Sequence, residues 1–281
     1  MIHSTDSRCS TTQPLATRPG SAGILALALA AALPFGALAG EIVVPSGSIA
    51  TIQDAVSVAV SGDTIKVLPG SYNESVFVGT GGLKFVAQTD AGPVSVIGFL
   101  VLAENVEIKG FAVGSDGVTL IDSANARVSN NSVSTGGIGI MALDCSGTQI
   151  NNNSVNADSG IWVSGCPTAR VDHNKIDAAY LGIYVEDSQG AGVDHNRAHG
   201  TGGAGISIYA SSAGRIEFNN AEGFHGLEVT GGSCGNVVAH NVAEGSEFGF
   251  YSDEDPQAAC NSYTKNVADT AFPSLAFWAA K

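Results

Sequence analysis

From residue 118 onward, apolar and polar residues alternate in short runs, and the same runs return at nearly constant intervals. Seven segments read apolar-x-x-Asn: Val128–Asn131, Ile150–Asn153, Val171–Asn174, Val193–Asn196, Ile216–Asn219, Val238–Asn241 and Tyr263–Asn266. Their asparagines lie 21 to 25 residues apart. A second series interleaves with the first: Gly137-Ile138, Gly160-Ile161, Gly182-Ile183, Gly205-Ile206, Gly226-Leu227 and Gly249-Phe250. Each pair runs on in the two-residue alternation of a strand, as in Ile183-Tyr184-Val185.

This period is too short for a propeller blade or a helical-hairpin repeat, and the leucine consensus of a horseshoe repeat is missing. It fits an all-β solenoid, a single-stranded parallel β-helix in which each repeat is one coil and equivalent residues stack about 4.8 Å apart. Asparagine then has two reasons to recur. It tolerates the left-handed backbone of a tight turn, and its amide can bond to the asparagine above and below. Regular coils are expected over 118–270, with less regular strands over 75–113. A solenoid must cover its ends. Residues 51–60 predict a capping helix, with Ile52, Ala55, Val56 and Ala59 on one face, Thr51 and Asp54 as a capping box, and Ser61-Gly62 as its stop. Phe272–Trp278 is apolar enough to cover the far end.

Composition narrows the setting. Arg8 and Arg18, the apolar run Ile24–Phe35 and Ala37-Leu38-Ala39 form the three parts of a secretory signal peptide over residues 1–39, leaving 40–281 as one domain. The apolar run is short for a bilayer span, so no membrane span is expected after cleavage, and the protein is read as secreted or periplasmic. With 12 Lys and Arg against 26 Asp and Glu, net charge is -14, which argues against nucleic acid as a partner. Neutral glycans, cations, or an acidic polymer held through a bridging metal remain. The sequence carries no signal for an oligomeric state. Cys145 and Cys166 each precede their ladder asparagine by eight residues, and Cys234 and Cys260 by seven and six. Neighbouring coils place each pair within disulfide reach, so 145–166 and 234–260 are the favoured staples among three possible connectivities.

The stretch "TIQDAVSVAVSGDTIKVLPGSYNESV" (51–76), followed by the Asn and Gly-Ile series, resembles right-handed parallel β-helix proteins of the pectin-lyase-like superfamily, most of all their parallel-β-helix-repeat and NosD-type members. The resemblance covers roughly residues 42–270 and implies the fold. For activity it implies a range: polysaccharide lyases, hydrolases, esterases and epimerases, non-enzymatic surface proteins, and accessory proteins for periplasmic copper sites. The sharper motifs of these groups are missing. Gly70-Ser71-Tyr72-Asn73-Glu74 is similar to an early pectin methylesterase motif, but the later esterase segments do not follow, nor do the Gly-His-Gly and Arg-x-Lys segments of polygalacturonases. At Asp255-Pro256, Gln257 stands where alginate epimerases carry His.

Three sets of candidate residues emerge. The outward positions after each Gly-Ile read Thr119, Gly139, Trp162, Tyr184, Ser207, Glu228, Tyr251 and, two residues on, Ile121, Met141, Ser164, Glu186, Tyr209, Thr230, Asp253. Trp162, Tyr184, Tyr209 and Tyr251 could stack on sugar rings, with Glu186, Glu228 and Asp253 as candidate catalytic carboxylates. Glu186 and Glu228, two coils apart in neighbouring columns, should lie roughly 10 Å from one another. Asp187 and the acidic loop Asp253-Glu254-Asp255 could hold Ca²⁺, the candidate cofactor of a lyase. The doubled Val-Asp-His-Asn (171–174 and 193–196) places His173 and His195 on adjacent coils as candidate metal ligands, joined by His240 if the protein is a copper-site accessory. An extended strand would point Asp172 and Asp194 away from those histidines. The leading expectation is recognition, and as an enzyme cleavage or modification, of a polysaccharide. The alternatives are the copper accessory and a purely structural surface solenoid.

Overall fold

The computed structural model describes residues 39–274 and Trp278. The described residues all fall within one compact unit, Ala37–Lys281. All but the last residue of the expected signal peptide lies outside the described residues. None of the described helices is long and apolar enough to cross a membrane.

Among the described residues the strands assemble into an 11-stranded and a 12-stranded sheet, each joining a coil to the next in parallel. In the first sheet the apolar residues of the repeated motif stack in one buried line, Val128, Ile150, Val171, Val193, Ile216, Val238 and Tyr263. The second sheet is built from long strands such as Lys175–Glu186 and Asn220–Thr230, whose register shifts over a bulge halfway along. Each of these therefore has two legs. The result is the expected right-handed parallel β-helix with coils of about 22 residues.

All seven motif asparagines form a buried ladder. From Asn131 to Asn241, each Nδ2 donates to the Oδ1 of the asparagine one coil on, at 2.9–3.1 Å. It also donates to a backbone carbonyl one coil back, as Asn174 does to Ile150 O at 2.8 Å. The left-handed turn falls one residue earlier than the sequence suggests. Positive φ belongs to Asn130, Asn152, His173, His195, Phe218, His240 and Lys265, not to the ladder residues. The two roles part because a ladder side chain must point inward, while the αL residue before it points to solvent and tolerates any outward group.

A second ladder runs through Ser123, Cys145, Cys166, Ser188, Ser211 and Ser233, each eight residues before its asparagine. Each backbone N–H from Ser123 to Ser211 donates to the side-chain oxygen or sulfur one coil on, at 3.0–3.3 Å. This corrects the expected 145–166 disulfide: both cysteines are buried free thiols. Their sulfurs occupy serine positions and accept backbone N–H groups, and Cys145 Sγ also donates to Leu143 O at 3.0 Å. The hydrogen bond with Cys145 and burial push the Cys166 thiol up, so it stays protonated. Cys166→Ser is expected to change stability by less than about 1 kcal/mol. Cys166→Val, which strands the Cys145 N–H, should cost about 2 kcal/mol, read from thermal unfolding of both variants. The 234–260 disulfide is present, with Cα atoms 5.3 Å apart.

The Gly-Ile series also has a steric cause. A Cβ on Gly205 would lie 2.5 Å from Glu222 N and 2.6 Å from Glu222 O, so only glycine lets adjacent coils close there. Gly205→Ala should cost about 2 kcal/mol in urea unfolding; a midpoint like the wild type's would sink the packing argument.

Both ends are covered. The N-terminal helix spans Ile52–Val58, shorter than the sequence pattern suggests, with the Thr51–Asp54 capping box formed and Ile52, Ala55 and Val56 buried. Glu74, from the esterase-like motif, caps the same helix, its two carboxylate oxygens accepting from Ile52 N at 3.0 Å and Gln53 N at 2.9 Å. That residue serves the fold. At the far end Trp278 is buried, stacks on Phe250 with centroids 4.6 Å apart, and takes the last ladder amide, from Asn266, on its carbonyl at 3.0 Å.

Candidate ligand-binding face

The second leg of the long strands presents one outward line across successive coils: Thr119, Met141, Trp162, Tyr184, Ser207, Glu228, Tyr251 and Phe272. A neighbouring line holds Ile121, Leu143, Ser164, Glu186, Tyr209 and Thr230. Both match the expected columns except in one coil and at Asp253, which lies just past the end of the strand Val242–Ser252. Gly139-Ile140, not Gly137-Ile138, aligns with Gly160-Ile161, so Met141 and Leu143 replace Gly139 and Met141.

The rings are in contact along the axis. Trp162 meets Tyr184 edge-on at 4.8 Å, and Tyr184 stacks toward Tyr209 at 6.5 Å. Ser207, only 1% exposed, interrupts the line with a small side chain. Beyond Glu228 the rings resume, Tyr251 stacking on Phe272 at 5.5 Å with Phe248 beside both. The Tyr184 phenol is pushed up to about 12, by burial first and then by the charge of Glu186, with which it shares a hydrogen bond. Glu228, two rungs along the same line, adds the smallest part of that field.

His225 joins this face without having been marked by any sequence pattern. It sits at the bulge of Asn220–Thr230, with Nδ1 2.9 Å from Glu228 Oε2 and Nε2 3.1 Å from Glu247 Oε2. Its ring stacks on Tyr251 at 4.6 Å, nearly parallel, and the side chain is 16% exposed. The available signal was a histidine three residues before a carboxylate in an outward column. The partner Glu247, however, comes from the next coil at a register shift that spacing does not give.

The remaining candidates stand apart from this cluster. Asp253 Oδ2 accepts from Gly231 N at 2.9 Å and Asp255 Oδ1 from Gln257 N at 2.9 Å. Glu254 accepts from Asn261 N at 3.0 Å and from the Tyr263 hydroxyl at 2.8 Å. Carboxylates so committed to turns make a poor Ca²⁺ donor set. Asp187 is an exposed αL turn residue. Among the described residues, no three His, Cys, Asp or Glu side chains converge as a metal would need. His173 and His195 do stack, with centroids 4.8 Å apart, in an exposed line continued by Phe218 and His240. Contrary to expectation, Asp172 and Asp194 face them, at 3.2 and 3.3 Å. The αL turn at each histidine breaks the strand alternation.

Residues 97–243, just over half of the chain, match the family described as right-handed β-helix region. The chain belongs to that family. Among solved structures, this β-helix is similar to ORF18 of Geobacillus virus E2, with TM-score 0.52 and 11% identity over 77% of this chain and 56% of the viral one. It thus spans little more than half of that protein's length. An alginate lyase from Paenibacillus sp. str. FPU-7 aligns at TM-score 0.45 and 13% identity, over 84% of this chain and 96% of the lyase. The mannuronan C-5 epimerase AlgE6 A-module of Azotobacter vinelandii aligns at 0.45 and 15%, over 76% and 77%. At such identities the likeness concerns the fold alone. Among curated proteins no sequence match is found.

Proposed function

We propose that this β-helix is an exported polysaccharide-binding protein whose ligand lies along the Trp162–Phe272 line. The observation that carries the reading is the line itself: rings from several successive coils on one face, with half-buried carboxylates set among them. Ring faces stack on the apolar faces of sugars, and carboxylates accept from hydroxyls. Aromatic surface gathered on one side of a solenoid is otherwise a solubility cost. The Cys234–Cys260 disulfide supports export, since such bonds persist in oxidising compartments.

A second reading, chemistry on the bound chain, is favoured by the Glu228–His225–Glu247 arrangement. A ring nitrogen poised beside a carboxylate on an aromatic floor is an acid–base pair in the right setting. Glu186 and Glu228 would then be the carboxylates of a hydrolase, or Tyr184 the proton carrier of a lyase. A glycan array probed with the full chain tests the binding reading, which fails if no polysaccharide is retained. Release of reducing ends or of unsaturated products from a retained glycan tests the second.

A further inference from the structure

The only charged side chains in the two outward lines described above are carboxylates, Glu186 and Glu228. From residue 216 to residue 264 the chain contains no lysine or arginine and eight carboxylates: Glu217, Glu222, Glu228, Glu244, Glu247, Asp253, Glu254 and Asp255. The two outward lines of the ligand-binding leg carry no lysine or arginine from Thr119 to Phe272. On this face His225 is bracketed by Glu228 and Glu247. On the other leg of the same strands Glu222, Glu244 and Asp269 follow one another coil by coil beside an open groove of about 370 Å³. Lys175 and Arg197 belong to the two preceding coils of that leg, two residues before Asp177 and His199, and His199 pairs with Glu222 at the groove.

This distribution selects among polysaccharides. A uronate polymer would bring like charge onto the carboxylates, and only a bridging cation could relieve it. The acidic loop's carboxylates are held in turns, and the described residues form no three-ligand cluster. A neutral sugar would cover Glu186 and Glu228, both half-buried, and return only hydroxyl hydrogen bonds for the water removed. An ammonium group returns charge-assisted bonds, and the ring faces of Trp162, Tyr184, Tyr209 and Tyr251 attract the same charge. Carboxylates and aromatic faces interleaved on one surface are jointly complementary to a cation carried on an apolar body.

We propose that the polymer recognised here carries free amino groups: an amino-sugar polysaccharide with unsubstituted amines. The proposal rests on the polysaccharide reading above and narrows its substrate class. The test is calorimetric titration of the full chain with four probes: β-1,4-glucosamine oligomers, their N-acetylated counterparts, oligogalacturonate with and without Ca²⁺, and polylysine. The glucosamine oligomers should bind at least about tenfold more tightly than the N-acetylated ones, the equivalent of a few exposed ion pairs. The difference should shrink with added salt. Glu186→Gln/Glu228→Gln, with unfolding checked against the wild type, should abolish the difference, lowering affinity for the glucosamine oligomers more than for the acetylated ones. Equal or tighter binding of the acetylated oligomer, or Ca²⁺-dependent binding of oligogalacturonate, overturns the amine assignment while the polysaccharide reading stands. Polylysine binding as tight as glucosamine's would reduce the site to bare charge and overturn it too. If no saccharide binds, both readings fall.

Discussion

Asn196→Leu is expected to destabilise the protein by about 4 kcal/mol, the largest effect of any single ladder substitution. The asparagine is buried at the centre of its ladder. Its Oδ1 accepts from Asn174 N at 2.9 Å and Asn174 Nδ2 at 3.1 Å. Its Nδ2 donates to Val171 O at 2.7 Å and Asn219 Oδ1 at 3.1 Å. Leucine fills similar space and satisfies none of these groups. The Asn174 backbone N–H and one of its two amide hydrogens would be left without acceptors, and Val171 O without its donor, where water does not reach, at roughly 1–3 kcal/mol for each unsatisfied group. Urea unfolding of the full chain measures this directly. Asn152→His is the control: position 152 is the αL neighbour of a ladder residue, and histidine already holds the equivalent site at 173 and 195. That change should cost less than about 1 kcal/mol. Equal effects of the two substitutions would mean that the ladder does not hold the coils together.

The second large effect concerns binding. Trp162→Ala/Tyr184→Ala should weaken polysaccharide affinity roughly a hundredfold, in the range of two aromatic anchors removed together. The two rings touch at 4.8 Å and are half-buried, so they form one continuous floor that needs little ordering when the ligand arrives. Their side chains point outward and their neighbours in the core, Ile161, Val163, Ile183 and Val185, are untouched. The thermal midpoint should therefore move little while affinity falls. Tyr184→Phe separates stacking from hydrogen bonding: it keeps the ring but removes the phenol that Glu186 holds. Retention of most affinity in that variant assigns the floor to the ring face. Unchanged affinity in the double alanine variant would remove these two rings from the site.

These two expectations differ in how far the sequence could carry them. The ladder was legible because an invariant physical need, one inward amide per coil, prints the same letter at the same phase. The capping helix was legible for a similar reason: a capping box and an apolar face are local patterns. The outward aromatic columns followed from strand alternation once the phase was set. They slipped by two residues only where Gly137-Ile138 mimics Gly139-Ile140. What could not be read depends on contacts between coils at irregular points. His225 meets Glu247 because the strand shifts register between Gly223 and His225, and spacing alone hides that shift. The free thiols are hidden from spacing, because two cysteines on adjacent coils can lie within disulfide reach and still serve as separate acceptors. Serine at 123, 188, 211 and 233, eight before each asparagine, was the overlooked sign that the position asks for an acceptor.

The ladders also make length a quantity the protein can change in whole steps. Each coil hands its neighbour the same set of donors, from the asparagine, the serine or cysteine, and the strand backbone, so the interface between coils is interchangeable along the axis. A gene that lost or duplicated residues 175–196 would still find Asn174 facing an asparagine and Cys166 facing a serine. The outward platform would then shorten or lengthen by one rung. Such a chain acts as a ruler, whose graduations are set inside by the ladder and read outside by how much polymer it can span.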